Sequence, residues 1–273
     1  MFEKIMSNVK ERRPLVHSIT NYVTVNDCAN IVLACGASPI MADDEAEVEE
    51  ITSVCNSLVI NTGTLNARTI ESMIKAGKTA NRLGHPVILD PVGSGASALR
   101  TNTVYKLLEE IDFSVIRGNI SEIKTLDQGT GYTKGVDASE SDLISEDRID
   151  AAIALAKRVS EKTGAVVAIT GETDIVANKT QTFCVRNGHE IMSKITGSGC
   201  MLTAVIGAYC GANNEQILQS TVAAVAAMGL SGELAYEKMI ESDGGTATFR
   251  TYLIDFMSKM NESMLKEGMK IEN

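Results

Sequence analysis

Along most of the chain, short apolar runs alternate with longer amphipathic segments. The runs SPIMA, SLVINTG, PVILDP, FSVIRGN and AVVAITGE, at 38–42, 57–63, 86–91, 113–119 and 165–172, have the length and composition of strands. The segments between them predict helices over 44–55, 67–84, 101–111, 120–126 and 148–164. In the second of these helices one face carries Ile70, Met73, Ile74, Gly77 and Ala80. Because the strands are apolar throughout, the pattern is typical of a parallel sheet covered by helices on both faces.

The alternation of predicted strands and helices ends after residue 172. The runs DIVAN at 174–178 and QTFCVRN at 181–187 lie close together and predict an antiparallel hairpin at the edge of the sheet. After Gly199 the pattern is helical to about Met264. The stretch 138–147 is polar and is expected to be a loop. Its composition does not shift enough to mark a domain boundary. We therefore predict one α/β domain over 1–273, with a mostly parallel central sheet, helices on both faces and an antiparallel edge hairpin.

Composition narrows the possible functions. The 273 residues are 44% hydrophobic and 22% charged, which argues against disorder, and the net charge of −10 argues against nucleic acid as a partner. The N-terminal stretch carries no apolar segment of signal-peptide length. The longest nearly apolar stretch, Cys200–Ala212, is shorter than the ~20 residues that cross a bilayer. We expect a cytoplasmic protein that does not use a membrane.

The cysteines do not predict a metal centre. There are six cysteines and three histidines, the cysteines form no CxxC pair, and the histidines are scattered. In a reducing cytosol such cysteines are mostly small core residues, so a zinc site is not expected.

Ligands of open parallel sheets bind beyond the carboxyl ends of the strands, so polar residues that end predicted strands are the candidates for chemistry. Asp90 ends the strand in ILDPVGSGAS and is followed by a glycine-rich loop. A carboxylate there either holds a cation or caps backbone amides of the turn. The loop does not match a dinucleotide-binding turn, because a proline follows the strand and no strand-ending acid appears about 20 residues further on.

Two further strand ends carry polar side chains. In IRGNISE, the planar guanidinium of Arg117 suits phosphate oxygens, and Asn119 and Glu122 are spaced to face one point. These two residues are either oxygen ligands for Mg²⁺ or the two members of a helix capping box. In AITGETD, Thr170 closes a buried strand and offers a hydroxyl to a nucleotide phosphate, although Thr-Gly is also an ordinary turn.

The stretch ITGSGCMLT, residues 195–203, joins a glycine-rich turn to the start of an apolar helix. Gly197, Ser198 and Gly199 leave backbone N–H groups uncovered at the helix N-terminus, which predicts an anion hole suited to a transferring phosphoryl group. The chain contains no Walker loop of the form GxxxxGKS or GxxxxGKT. Cys200 follows at the helix N-terminus, where the pKa of a thiol is lowered. The alternative for Cys200 is a small core residue.

In this order the stretches resemble the hydroxyethylthiazole kinases, a family of the ribokinase superfamily that acts in thiamine salvage. The resemblance runs through PLVHSITNYVT, GASPIMA, NTGTL, PVILDPVGSGA, IRGNISEI, KGVDA, AITGETD and TGSGCMLT, and covers most of residues 14–210. Each motif alone is weak, whereas the combination is specific. The resemblance implies a ribokinase-like fold and transfer of the ATP γ-phosphate to the hydroxyl of 4-methyl-5-(2-hydroxyethyl)thiazole.

The resemblance also implies roles for the residues that match. Asp90 and Glu122 serve the Mg²⁺ of MgATP, directly or through water. Arg117 and Thr170 contact the phosphates of the nucleotide. The family further implies a homotrimer, with the thiazole pocket at the subunit interfaces.

The remaining roles concern the acceptor substrate. The anion hole, Gly197–Gly199, lies beside Cys200, which occupies the position where most of the superfamily carries an aspartate base. A cysteine is usual there in the thiazole kinases. Met41 lines the thiazole pocket, with Asn21 and Gly197 near it. Tyr22 departs from the smaller polar residues that are common after Asn21 in the family.

Three other functions stay open at this point. Another small-alcohol kinase of the same fold, such as one for hydroxymethylpyrimidine, would use the same phosphate site, but Met41 and Cys200 weigh against it. An acyl- or glycosyl-transfer enzyme would use Cys200 as a nucleophile and needs a base paired with the thiol. A binding protein that has kept the fold and lost catalysis is not suggested by a sequence that retains Asp90, Arg117 and Glu122.

Overall fold

A computed structural model describes residues 1–128 and 149–273 of the chain. The polar loop 138–147 and the KGVDA motif lie outside the described residues. Nine strands form one sheet in the described part, in the order β2-β1-β3-β4-β5-β6-β7-β8-β9. The strands are β1 Leu15–Ile19, β2 Ser38–Met41, β3 Ser57–Asn61, β4 Val87–Asp90, β5 Val115–Asn119, β6 Val166–Thr170, β7 Asp174–Ala177, β8 Thr182–Val185 and β9 Ile271–Glu272.

The first six strands run parallel to one another, whereas β7, β8 and β9 are added antiparallel at one side. The predicted mostly parallel sheet and the predicted hairpin of β7 and β8 are therefore confirmed. The hairpin is not the outermost element, because β9 pairs with β8 beyond it.

Helices cover both faces of this sheet. The helices are α1 Phe2–Arg12, α2 Val25–Ala34, α3 Val48–Val54, α4 Ala67–Leu83, α5 Ala98–Glu110, α6 Ile120–Gln128, α7 Ile149–Thr163, α8 Ser198–Ala212, α9 Ile217–Glu241, α10 Thr246–Lys259 and α11 Glu262–Gly268. The predicted apolar face of α4 is confirmed, since Met73, Ile74, Gly77 and Ala80 are buried and Ile70 is half-buried. The sequence pattern did not predict α1, α2, β1 or β9.

The buried side chains form two cores, one on each face. In β3, Leu58 and Ile60 point into the core beneath α4 to α7, whereas Val59 points into the core beneath α8 and α9. Strands buried on both faces need apolar residues at every position, and this explains why the runs do not alternate.

Helix α9 corrects one expectation from the sequence. The longest apolar segment is not Cys200–Ala212, because α9 has 25 residues and a mean hydropathy of 1.3 over its most apolar window. Among the described residues it is the one helix long and apolar enough to cross a membrane, judged by length and composition. Within the fold 78% of that window is buried, so α9 is the central helix of its core.

The carboxyl ends of the parallel strands meet along one edge of the sheet. In register, Asn61 at the end of β3 lies opposite Asp90 at the end of β4, and Asn119 at the end of β5 lies opposite Thr170 at the end of β6. Helix α8 begins at the same edge, because Gly199 lies against the side chain of Arg117 from β5. The fold thus brings the sequence-predicted polar residues of three strands and one helix together, with Asn61 of a fourth strand beside them.

Candidate active site

At the N-terminus of α8, other groups can come close to the helix backbone. Its N-cap residue, Gly197, has a φ of +89°, a conformation that favours glycine, and no side chain caps this end of the helix. A Cβ atom at Gly197 would overlap the methyl group of Thr24, and one at Gly199 would overlap the guanidinium of Arg117. Glycine is therefore favoured at Gly197 by its backbone conformation, and at Gly199 a larger residue would displace the guanidinium. The helix dipole and a guanidinium cation then act on the same space, which suits an anion.

Arg117 connects the strand ends of this edge. Its side chain is 13% exposed, Nη2 donates a hydrogen bond of 2.6 Å to Oγ1 of Thr170, and Nη1 lies 3.8 Å from Oδ1 of Asp90. Its Nε is buried without a hydrogen-bond partner. The two residues predicted to contact phosphate are thus in direct contact with each other. Arg117 has donor capacity left, whereas the hydroxyl of Thr170 donates to the carbonyl oxygen of Gly118 at 3.4 Å.

Asp90 is fully buried and held from one side only. Its Oδ2 accepts hydrogen bonds from Asn61 Nδ2 at 2.8 Å and from Thr203 Oγ1 at 2.9 Å, while Oδ1 has no hydrogen-bond partner. The donors are side chains, not turn amides, so the sequence alternative of a turn cap is wrong. Burial raises the pKa of Asp90 to about 6; the nearby Arg117 cation counteracts this and the Glu122 carboxylate adds to it.

Glu122 forms the capping box that was the alternative to a metal ligand. Oδ1 of Asn119 accepts from the backbone N–H of Glu122 at 2.9 Å, and Oε2 of Glu122 accepts from the backbone N–H of Asn119 at 2.8 Å. Its Oε1 accepts from the backbone N–H of Gly93 at 2.9 Å, which fastens the loop after β4. The carboxylate retains free lone pairs, and its charge reaches Asp90.

Cys200 is half-buried, and two amides point at its sulfur. Asn21 Nδ2 and Asn61 Nδ2 each donate to Sγ at 3.3 Å. Burial is the largest influence and raises the pKa of the thiol, the charge of Asp90 raises it further, and hydrogen bonds from Thr24, Asn61 and Asn21 oppose both. The predicted lowering of the pKa at the helix terminus is therefore wrong.

The residues predicted to line the substrate pocket lie at different places along the sheet edge. Asn21 lies in the site, since it contacts both Cys200 and Asn61. Met41 ends β2, where it pairs in register with Ser18 of β1, and packs half-buried against the core that includes α2 and α8. The structure therefore places Met41 further along the same edge of the sheet than Cys200.

The sequence interpretation missed three residues of this site. Asn61 and Thr203 hold Asp90, and Asp174 accepts a hydrogen bond from the backbone N–H of Gly171 at 2.9 Å, beside Thr170. Burial raises the pKa of Asp174 to about 7, and Arg117 counteracts the rise. Asn61 ends a strand within NTGTL, so the strand-end rule that identified Asp90 would also have identified Asn61.

Comparison with known proteins shows the protein family. The model of the Hydroxyethylthiazole kinase family matches residues 6–263. The chain belongs to the hydroxyethylthiazole kinase family. The hydroxyethylthiazole kinase of Clostridium acetobutylicum is 58% identical to it over 100% of both chains. The solved hydroxyethylthiazole kinase of Pyrococcus horikoshii OT3 superposes with a TM-score of 0.88 at 36% identity, over 99% of this chain and 98% of that one.

A more distant structure confirms the fold. A ribokinase-like superfamily protein from Enterococcus faecalis V583 superposes with a TM-score of 0.61 at 12% identity, over 94% of this chain and 89% of that one. The fold of this hydroxyethylthiazole kinase family member is therefore ribokinase-like, as the motifs predicted. The chain is an ATP-dependent kinase acting on a small substrate.

Proposed function

We propose that the chain transfers the γ-phosphoryl group of ATP to the hydroxyl of 4-methyl-5-(2-hydroxyethyl)thiazole, a reaction of thiamine salvage. The observation that carries the proposal is the meeting of three groups: the uncapped N-terminus of α8, the guanidinium of Arg117 against Gly199, and the thiol of Cys200. The first two suit phosphate, and the third lies where an acceptor hydroxyl can be presented to it. The 58% identity to a hydroxyethylthiazole kinase supports the choice of acceptor.

In this proposal the phosphates of ATP bind Arg117 and Thr170. The backbone amides of Gly197, Ser198 and Gly199 stabilise the charge that spreads over the transferring group. Phosphoryl transfer passes through a loose transition state, and catalysis consists mainly of positioning and charge stabilisation. An anion hole that is preorganised by glycine conformations supplies this without rearrangement during the reaction.

The residues present fit Mg²⁺ held mainly by phosphates and water. Asp90 Oδ1 is buried and has no hydrogen-bond partner, so one carboxylate oxygen is available. Glu122 lies near enough to influence Asp90 and keeps free lone pairs. No group of three or more His, Cys, Asp or Glu side chains suited to a metal ion occurs within residues 1–128 and 149–273. Mg²⁺ typically takes one or two carboxylates together with substrate phosphates, and bound there it would neutralise phosphate charge.

We propose that Cys200 acts as a weak base or hydrogen-bond acceptor for the substrate hydroxyl. A covalent nucleophile needs a thiolate and a neighbouring base. The side chains that hydrogen-bond this sulfur are two amides and the hydroxyl of Thr24, and burial raises the pKa of the thiol. A loose transition state demands little early proton removal, so a weak acceptor suffices.

Met41, Asn21 and Gly197 are proposed to line the thiazole pocket, which a second subunit of a homotrimer completes. Tyr22 and Val23 follow Asn21 directly and are 78% and 59% exposed. Two large apolar side chains exposed beside a site are typical of an interface. We further propose that residues 1–273 form one domain and that the enzyme is cytoplasmic, using no nucleic acid and no membrane.

The direct test is ATP turnover with a panel of small alcohols. The thiazole alcohol should be phosphorylated with the highest kcat/KM, and Mg²⁺ should be required. Hydroxymethylpyrimidine and pyridoxal belong in the panel, since they separate this function from that of other small-alcohol kinases. A higher kcat/KM for either of them would contradict the proposed acceptor.

A further inference from the structure

Asn61 is the most completely bonded polar side chain of the site. It is 2% exposed and ends β3. Its Nδ2 donates to Asp90 Oδ2 at 2.8 Å and to Cys200 Sγ at 3.3 Å. Its Oδ1 accepts from the backbone N–H of Gly63 at 2.9 Å and from Asn21 Nδ2 at 3.1 Å. A primary amide has two N–H donors and one oxygen with two lone pairs, so every position is used.

The orientation of this amide is determined by its partners. Rotation by 180° would turn Oδ1 toward the Asp90 carboxylate, which only accepts hydrogen bonds, and would turn the NH₂ group toward the N–H of Gly63. Both contacts would then be repulsive. The backbone of β3 and the loop that follows it thus fix an N–H group aimed at sulfur.

Asn21 presents the second N–H in the same way. Its Oδ1 accepts from the backbone N–H and from Oγ1 of Thr24, both at 3.1 Å, so its Nδ2 must face Asn61 and Cys200. The sulfur of Cys200 is therefore held between two amides that cannot flip. Cys200 lies on α8, whereas the two amides lie after β1 and on β3. These hydrogen bonds therefore fix the position of the sulfur relative to the sheet.

We infer that Asn61 is a positioning residue for phosphoryl transfer, which holds the Cys200 sulfur at the anion hole and ties it to Asp90. The inference rests on the proposed function, because it assigns Cys200 the substrate hydroxyl. Asn61 touches no reacting atom itself. It acts by fixing the sulfur relative to α8, and misplacement of a reacting group by about 1 Å can cost roughly 10²-fold in rate.

The test compares two neutral variants, Asn61→Leu and Asn61→Ser, with a matched control. Leucine keeps the approximate shape, and serine is a smaller second variant in case leucine packs badly. The control is Asn213→Leu, which removes a buried asparagine bonded to Asn8 and to backbone carbonyls at the other end of α8. It lies outside the site and reports the general cost of removing such an amide.

Two quantities are measured. The first is kcat and KM for ATP and the thiazole alcohol. The second is the pH profile of iodoacetamide alkylation at Cys200, followed on its peptide by mass spectrometry in nucleotide-free and metal-free protein. Both Asn61 variants should lose roughly 10–100-fold in kcat with little change in KM for ATP. The midpoint of the alkylation profile should move to higher pH, because a donor to the thiolate has been removed.

Each result either supports or overturns the positioning role of Asn61. Asn213→Leu should keep the wild-type midpoint and a kcat close to wild type. A midpoint that stays at the wild-type value in both Asn61 variants overturns the inference, whatever happens to kcat. A kcat no lower than that of the control overturns it as well. Failure of the proposed function is separate, since it appears as a wild-type protein that does not phosphorylate the thiazole alcohol, while the alkylation profile still reports on the contact.

Discussion

Cys200 is the side chain on which the competing functions differ most. Its sulfur accepts hydrogen bonds from the side-chain amides of Asn21 and Asn61, and the residue lies in the first turn of α8. Two amide donors at a helix N-terminus also suit a carboxylate, since that position favours a negative group by about 0.3–1 kcal/mol at exposed sites. The pocket around the sulfur is thus compatible with the aspartate that most ribokinase-like enzymes are expected to carry.

We predict that Cys200→Asp stays active, because aspartate is small, reaches the hydroxyl and accepts a proton or hydrogen bond. Cys200→Ala has no acceptor and should lose on the order of 10²–10⁴ in kcat if proton transfer matters. Steady-state kinetics measures both. Cys210→Ala, which removes a buried cysteine from the same helix, is the control and should keep its kcat. An inactive aspartate variant together with a trapped thiol adduct would contradict this role.

Arg117 should not tolerate lysine. Its guanidinium bonds Thr170, lies beside Asp90 and covers Gly199 at once, which the single ammonium of lysine cannot do. Arg117→Lys should weaken ATP binding roughly 10–100-fold, the range expected for lost hydrogen bonds to a charged group. Calorimetric titration with ATP measures this. Arg158→Lys, an exposed ion-pair partner of Asp127, should bind ATP like the wild type, and equal affinity in both variants would refute the phosphate contact.

Asp174 predicts a pH dependence of stability. Its pKa is raised from 3.8 to about 7, so between these values the folded protein holds a proton that the unfolded chain has released. The free energy of unfolding should therefore fall as the pH rises across this range, and the effect should vanish below about pH 4, where both states are protonated. Above pH 7 both states are ionised and the full cost of burying the charge is present.

Asp174→Asn removes this charge and keeps an oxygen for the N–H of Gly171. It should be more stable than the wild type at pH 8, by on the order of 1–3 kcal/mol because Asp174 is only half-buried, and the difference should disappear toward pH 4. Urea denaturation at a series of pH values measures it. Asp112→Asn, at an exposed position, is the control. A difference that does not change with pH would show that the Asp174 charge is not the cause.

At the level of elements, the first turn of α8 packs directly against the Arg117 side chain of β5. Gly199 leaves room for Arg117, so the anion hole depends on a strand and a helix that are distant in sequence. Gly199→Ala should displace the guanidinium and lower kcat/KM for ATP by about 10²-fold, a loss that follows from misplacing a binding group. Gly245→Ala is the matched control, because no atom lies within 4 Å of a Cβ built there. Unchanged kinetics in Gly199→Ala would mean that the contact has no part in phosphate binding.

Elements with a local cause could be predicted from sequence. Strands β3 to β6 are continuous apolar runs, and α4 has a clear apolar face. Strand β9 has only Ile271 and Glu272 and exists because it pairs with Cys184 and Val185 of β8, far away in sequence. Helix α2 begins VNDCAN, whose asparagines and aspartate are weak helix formers.

The residues of the candidate site also differ in whether the sequence alone could predict them. Asp90, Arg117 and Thr170 end strands and are visible in the sequence. The pKa of Cys200 was predicted in the wrong direction because the helix terminus is a local feature, whereas burial and the charge of Asp90 come from the tertiary fold. The contacts of Asn61 with Cys200 and with Asn21 likewise cannot be derived from spacing along the chain.

For the whole molecule the prediction concerns assembly. If the thiazole pocket is shared between subunits, light scattering should give three times the chain mass of 29.2 kDa. Val23→Asp places a charge on the exposed apolar pair beside Asn21 and should yield monomers with little activity, because a buried unpaired charge opposes association. Leu83→Asp, at an exposed position at the end of α4, should remain trimeric and active. A fully active monomer would refute the shared pocket.

Helix α9 also has a consequence for synthesis on the ribosome. It is apolar enough to pass for a membrane span, yet it becomes a core helix only when its neighbours cover it. One of them, α10, is complete at Lys259, soon after α9 ends at Glu241. Until α10 packs against it, a newly made or partly unfolded chain therefore exposes an apolar helix of 25 residues, which chaperones and membrane-targeting factors can bind.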